Sequence, residues 1–273
     1  MPAYINTNVA SINTVRILDS SQKELTTSME RLSSGKRINH ARDDAAGMAI
    51  SSKMTSQING MNQAVRNTND GISMVQTADG AMEGIADKLQ RMRELAVQSS
   101  NGIYSSSDRA ALDIEFQALD DEINRVASSA EFNGTNLIDA DAQISIQVSY
   151  AADSTNGKIT VSLSGVDSTD LGINANVITS QAASSTAITA VDAALSTVNS
   201  ARATLGATQN RLETTVKDLK NNVENLSASR SRIEDADFAS ETAQLAKSQI
   251  LQQAGMAMLA QANQLPQQVL SLL

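Results

Sequence analysis

Side chains able to carry chemistry are sparse in this sequence. His40 is the only histidine among 273 residues, and there is no cysteine. Ser-His-Asp and Cys-His triads, multi-histidine metal sites and a zinc-binding HExxH helix therefore lack their members. Asp43 and Asp44 are adjacent, so on a helix they would point apart instead of sharing a proton. No glycine-rich loop runs into Gly-Lys-Ser or Gly-Lys-Thr, which leaves nucleotide binding without support. His40 reads as a surface residue. No catalytic residue, cofactor site or metal site is expected, and the chain does not read as an enzyme.

Charge is the remaining chemistry. Arg31, Lys36, Arg37 and Arg42 form a basic cluster near the start, and Glu234, Asp235, Asp237 and Glu241 form an acidic one near the finish. If the chain ends run antiparallel, these segments lie at a similar height and pair between domains, within one copy or between copies. Left in solvent, such pairs are worth about 0 to 1 kcal/mol each. The net charge of -9 and pI near 4.7 disfavour a nucleic-acid partner, which requires a basic face to displace phosphate counterions.

The elements that would position these groups are mostly helices. Aromatics make up only 2% of the chain, yet apolar residues reach 41%, carried by Ala, Leu, Ile, Val and Met. Residues of that size suit helices lying side by side. The two prolines, Pro2 and Pro266, sit near the ends, so nothing between them forces a break. Ile188, Val191, Leu195, Val198, Leu205, Leu212, Val216, Leu219, Val223, Leu226 and Ile233 fall on a 3,4 spacing, the mark of a left-handed coiled-coil seam. At 1.5 Å per residue that helix is roughly 70 Å long and needs a partner of similar length. A second stripe runs from Met54 through Ile58, Met61, Val75, Met82, Ile85, Leu89 and Met92 to Leu95. A third, Leu112 to Val126, is introduced by Ser105, Ser106, Ser107 and Asp108, which suit a helix start. These three helices form a bundle.

In the middle the period changes to two. Ile144, Ile146, Val148 and Tyr150 alternate with polar residues, as do Ile159, Val161 and Leu163, with Asn156-Gly157 between them as a hairpin turn. A small β-hairpin is expected at about 140–173, followed by an exposed Ser/Thr/Ala-rich loop at 174–186. The fold class is mainly α: a long antiparallel coiled-coil bundle with a small β-hairpin, and terminal helices pairing as a second coiled coil. The expected division is 1–43 with 234–273, and 44–233.

The terminal stripes of Ile5, Val9, Ile12, Leu25, Met29 and Leu32, and of Leu245, Leu251, Met258 and Leu259, lack enough partners within one chain. They are expected to be buried partly between copies and to order on assembly. No apolar run long enough to span a membrane appears, nor a cationic start followed by an apolar stretch of the secretory type.

Long motifs then point to a family. Ile5-Asn-Thr-Asn-Val-Ala-Ser-Ile12, Met29-Glu-Arg-Leu-Ser-Ser-Gly-Lys-Arg-Ile-Asn39, Asp43-Asp-Ala-Ala-Gly47, Asn69-Asp-Gly-Ile-Ser73, Leu89-Gln-Arg-Met-Arg-Glu-Leu-Ala-Val-Gln98 and Phe132-Asn-Gly134 resemble the N-terminal signature of bacterial flagellins. Leu205-Gly-Ala-Thr-Gln-Asn-Arg-Leu212, Ser231-Arg-Ile-Glu-Asp-Ala-Asp237, Gln249-Ile-Leu-Gln-Gln-Ala-Gly255 and Ala260-Gln-Ala-Asn-Gln-Leu-Pro266 resemble its C-terminal one. The resemblance implies a structural subunit that polymerises with itself into the flagellar filament, its termini forming an inner layer and its flanking helices an outer one. The resemblance also implies a minimal form, without the surface domains that larger members insert near the centre.

Further expectations follow from the resemblance alone. They are export through a type III apparatus to the cell exterior, an export chaperone, contacts to junction and cap proteins, and glycans on the Ser/Thr-rich middle. Arg91, Leu95, Gln98 and Glu115 match positions at which a host Toll-like receptor senses the family, and the spacing of Arg91, Leu95 and Gln98 allows a shared face. Two other readings are a hook-filament junction protein with related termini, and a membrane-surface amphipathic helix. The latter is weakened because Lys247 is the only cation late in the chain; no membrane insertion is expected.

Overall fold

The computed structural model describes residues 7–151 and 157–270, with side chains placed as far as residue 264. Five helices and two short antiparallel hairpins follow in the order α1 Val9–Ser34, α2 Ala45–Ser99, α3 Ser106–Ser129, β1 Glu131–Phe132, β2 Thr135–Asn136, β3 Ala142–Gln147, β4 Lys158–Leu163, α4 Gln181–Glu234 and α5 Phe238–Leu270. This is the mainly α architecture that the periodicity predicts. With 55 residues, α2 is about 80 Å long at 1.5 Å per residue.

Helix limits have local causes. Asn8 caps α1 by accepting from the Ser11 amide, and Gly35, at φ 71°, ends it by donating to the Arg31 carbonyl at 2.8 Å. The Asp44 carboxylate accepts from the Gly47 amide at 2.8 Å and starts α2. Ser105 and Asp108 form a reciprocal capping box on α3, as their order in the sequence suggests. The α2–α3 turn is clamped by the buried Arg109 guanidinium, which donates to the carbonyls of Ser99 and Asn101 at the frayed end of α2.

The main hairpin keeps the expected alternation. Ile144 pairs with Val161 and Ile146 with Ile159, and Ile159, Val161 and Leu163 are buried while Lys158, Thr160 and Ser162 are exposed. Its turn differs from the expectation. Gly157 continues the ladder, its carbonyl accepting from the Val148 amide at 2.9 Å, so Asn156-Gly157 is not a two-residue turn; Asn156 itself lies outside the described residues. A two-residue turn does occur at Asn133 (φ 50°) and Gly134 (φ 76°), joining β1 to β2. Positive φ at both central positions is the primed geometry that matches strand twist.

The segment read as an exposed loop at 174–186 is mostly exposed, but it is not wholly loop, and Ile178 and Ser184 within it are buried. Helix α4 begins at Gln181, with Ser180 Oγ accepting from the Ala183 amide as a cap, and Gln181, Ala182 and Ala183 are good helix formers. Ile173 and Ile178 are buried. The Ile178 amide donates to Asp113 at 2.7 Å, the Ser99 hydroxyl donates to the Ile178 carbonyl at 2.5 Å, and Gln117 donates to the Asn176 carbonyl at 2.8 Å. Hydrogen bonds to α2 and α3 therefore pin a stretch whose composition alone suggests solvent.

The α4 seam is also rotated relative to its apolar pattern. Val191, Val198, Leu205, Leu212 and Leu219 are buried as expected, but the positions between them are Ala187, Ala194 and Thr208, with Ala201 half-buried. Ile188, Leu195 and Val216 sit only at the margin. The reason is volume: α2 faces this helix with the fully buried Met82, Ile85, Leu89 and Met92, and small residues opposite long ones let the backbones close up. Ion pairs Arg93–Asp192 at 2.6 Å and Arg202–Asp79 at 2.8 Å show that the two helices run antiparallel.

The chain divides into two compact units, Met1–Ser56 with Asn225–Leu273, and Gln57–Glu224. The boundary falls inside α2 and α4 instead of at residues 43/44 and 233/234. The first turns of α2 stay with the terminal unit because Ser51 donates to Glu234, and Arg230 donates to Thr55 Oγ1 at 3.2 Å.

Candidate assembly interface

Within the terminal unit α1 and α5 pair antiparallel. Asn8 Nδ2 donates to the Ala262 carbonyl at 2.8 Å, Gln252 donates to Gln22, and Gln244 Nε2 donates to Glu24 at 3.4 Å. The inside of this pair is lined by small residues. Ser21, Ser28, Ser248 and Ala262 are buried, and the α-carbon of Gly255 lies so close to Leu18 that a methyl group there would meet it at 3.3 Å. Small side chains bring the helices together, and the large ones are left outside.

The consequence is an unusual surface. Val9, Ile12, Val15, Ile17 and Met29 on α1, and Ile250, Leu251, Met256 and Met258 on α5, are all exposed. On α5 at 100° per residue, Leu251 and Met258 lie on one flank, Met256 on the other and Ile250 on the back. Lys247, Gln249 and Gln253 are exposed beside them, so the outward side of α5 is mixed; its large apolar side chains are nonetheless spread around the helix and not gathered on the one side that α1 covers.

The expected interface residues divide accordingly. Val9, Ile12, Met29, Leu251 and Met258 are exposed; Leu32, Leu245 and Leu259 are half-buried. Leu25, at 9% exposure, is already covered by the pair and has little left to offer a neighbour, a correction to its place among them. Ile5 lies outside the described residues. Val15, Ile17, Ile250 and Met256 are equally exposed; Val15 lies on the periodic stripe without being among the expected interface residues, and the other three fall off the stripe that periodicity selects.

The two charged clusters meet inside this unit, so they join no two domains. Gly35 to Arg37 and Glu234 to Ala236 form a short antiparallel bridge, with the Arg37 amide donating to the Glu234 carbonyl at 2.7 Å and the Ala236 amide to the Gly35 carbonyl at 3.0 Å. The Lys36 ammonium lies 2.5 Å from Glu234, and Arg31 lies 3.7 Å from Glu241. Hydrogen bonds from Lys36 first, and then Ser51, hold the Glu234 carboxyl below its ordinary range. Arg37 donates instead to the Ile233 carbonyl, Asp237 caps α5 through the Ala239 amide, and Arg42 lies near Asp43 at 3.7 Å. His40 Nε2 lies 2.7 Å from Glu30. Lys36 and Glu234 also line an open recess of about 350 Å³ with Ile38, Met48, Ser51 and Thr55.

In the other unit Arg91 donates to both Glu94 and Glu115, and Gln98 is exposed. Leu95 is not part of that face: at 1% exposure it belongs to the core with Phe116 and Ile123. The spacing of Arg91, Leu95 and Gln98 allows a shared side, but the packing of the bundle buries the leucine while Arg91 and Gln98 stay exposed. Among the described residues, no group of three or more His, Asp or Glu side chains is arranged to hold a metal ion, and no helix is long and apolar enough to cross a membrane.

Two long antiparallel helix pairs, with large apolar side chains kept outside the terminal one, define a self-associating structural subunit. Residues 5–143 match the bacterial flagellin N-terminal helical region and residues 188–273 the C-terminal helical region. A flagellin of Halalkalibacterium halodurans is 47% identical over 98% of this chain and 99% of its own. The flagellar filament core protein flaB2 of Brachyspira hyodysenteriae is 42% identical over 98% and 99%. A solved protein of Vibrio parahaemolyticus described as flagellar hook-associated shares the fold at a TM-score of 0.58, with 12% identity over 71% of this chain and 100% of its own. The chain belongs to the bacterial flagellins. Its work is that of a structural subunit of the flagellar filament, an extracellular assembly.

Proposed function

We propose that the filament is held together through the outward faces of α1 and α5, with Val9, Ile12, Met29, Leu251 and Met258 at the contacts and Leu32, Leu245 and Leu259 at their margins. The carrying observation is that Ile250, Leu251, Met256 and Met258 of α5 and Val9, Ile12, Val15, Ile17 and Met29 of α1 stay exposed, on sides of the helices that the α1–α5 pair does not cover. A face that fits a different face of the next copy, with a rotation that does not close, yields an open helix. The terminal unit then forms an inner layer and the bundle with its hairpin an outer one, and the terminal helices order as neighbours cover them.

Replacement of Ile12 by Asp tests this, since Ile12 is 62% exposed and the change spares the single chain. The variant stays soluble and fails to extend filament seeds, as electron microscopy would show. Filaments of ordinary length from it would refute the interface. Junction and cap proteins, an export chaperone and the type III apparatus are partners this reading adds. The exposed Arg91, Gln98 and Glu115 are the part of the proposed receptor patch that a Toll-like receptor could reach.

A further inference from the structure

The chain has ten methionines, and the fold sorts them. Met61, Met74, Met82 and Met92 are buried in the helical seams, whereas Met29, Met256 and Met258 stand 57%, 52% and 63% exposed. Among the described residues these three are the exposed thioethers, Met48 and Met54 being half-buried, and they lie on the terminal helices among the exposed apolar side chains of the proposed contact surface. There is no cysteine to intercept an oxidant first.

We propose that Met29, Met256 and Met258 are oxidation sites that control whether a subunit can join the filament. The inference rests on the interface reading. The co-reactant is a two-electron oxidant of the hydroperoxide class. A sulfur lone pair attacks the terminal peroxide oxygen, the O–O bond breaks, sulfur is oxidised to the sulfoxide, and the other oxygen leaves as water or alcohol after taking up a proton. The sulfoxide is a strong acceptor on a formerly apolar, flexible side chain. Carried into a dry contact it lacks a donor, and roughly tenfold in subunit affinity is lost for each one buried. Free subunits are the vulnerable form, and an assembled filament covers its own sulfurs.

The test treats depolymerised protein and finished filaments separately with hydrogen peroxide, quantifies sulfoxide at each methionine by peptide mass spectrometry, and follows elongation from seeds by light scattering. In free protein the three exposed sites oxidise first, in filaments they are protected, and oxidised protein elongates about tenfold more slowly or worse. A methionine sulfoxide reductase restores elongation. The variant carrying Met29→Leu, Met256→Leu and Met258→Leu keeps its untreated rate after peroxide, because leucine preserves volume without sulfur. Should that variant assemble poorly untreated, partially oxidised wild-type protein decides, with the three sulfoxides depleted from pelleted filaments and enriched in the supernatant.

Equal elongation of oxidised and reduced protein, or equal oxidation of free and assembled protein, overturns the proposal. So does a peroxide block that persists in the leucine variant. The Ile12→Asp protein separates the two ideas: if it stalls while oxidised protein elongates, the interface stands and the oxidation sites fall.

Discussion

Replacing Ala194 with Leu, set beside replacing Leu195 with Ala, tests which side of α4 forms the seam. Ala194 is 1% exposed and Leu195 only half-buried. Leu at 194 adds three carbons to a filled space opposite the long α2 side chains, and overpacking of that kind costs about 1 to 3 kcal/mol. Truncating Leu195 to Ala withdraws a partly buried isopropyl group at the margin of the seam. Full burial of leucine is worth about 1.5 to 3 kcal/mol, so half of it costs about 1 kcal/mol. If the apolar pattern alone set the seam, the order would reverse. Leu195→Ala would then cost about 2 to 5 kcal/mol and Ala194→Leu almost nothing. Urea unfolding of the depolymerised chain, followed by circular dichroism with the slope checked for constancy, measures both. A Leu195→Ala loss exceeding that of Ala194→Leu by about 2 kcal/mol or more would refute the rotated seam.

Three further outcomes follow. Leu95→Ala should lower stability by about 2 to 5 kcal/mol, because it empties a core site, so any loss of receptor sensing in that variant must be judged against its unfolding curve; an unchanged midpoint would return Leu95 to the surface. Asp120 is buried, one of its oxygens lacks a hydrogen-bond partner, and desolvation first, then the charge of Asp121, pushes its pKa above the ordinary value of 3.8. A raised carboxyl stabilises the fold only when protonated, so its contribution fades as pH rises from 3.8 through the folded value. Asp120→Asn should therefore raise the thermal midpoint at neutral pH and flatten that rise with acidity, and a lower neutral midpoint would contradict the assignment. Glu234 has the opposite sign: its lowered pKa means stability present above 4.5 and lost as pH falls through the folded value. Glu234→Gln should flatten the acid limb of terminal-unit unfolding, read by hydrogen exchange in α1 and α5, and an unaltered acid limb would show that Lys36 and Ser51 do not hold the carboxylate.

Much was legible in one dimension because it depends on neighbours along the chain. The period of 3.5 marks α2 and α4, the period of two marks β3 and β4, and the Ser105–Asp108 box marks the start of α3. The family is equally legible, since its motifs run through both ends. Asn133-Gly134 carried a turn signal that could have been used and was not. Asn156-Gly157 carried the same signal, and the ladder simply ran on through Gly157.

What the tertiary structure decided is which neighbour each face meets. A 3,4 lattice states that apolar residues share a side, but it does not distinguish Leu195 from Ala194 when the bulk of Met82, Leu89 and Met92 across the gap sets the rotation. The same holds for Leu95, buried in the core of the bundle, and for Leu25, covered by the α1–α5 pair. Ile178 is buried by bonds to Asp113 and Ser99, distant residues whose approach no local composition encodes. Lys36 meets Glu234 because the backbone bridge of Gly35–Arg37 with Glu234–Ala236 sets the two residues side by side. For the helices, periodicity orients each about its axis to within one position, and packing volume selects among the positions that remain; for Ile178 and Lys36, outside the helices, bonds from remote segments decide.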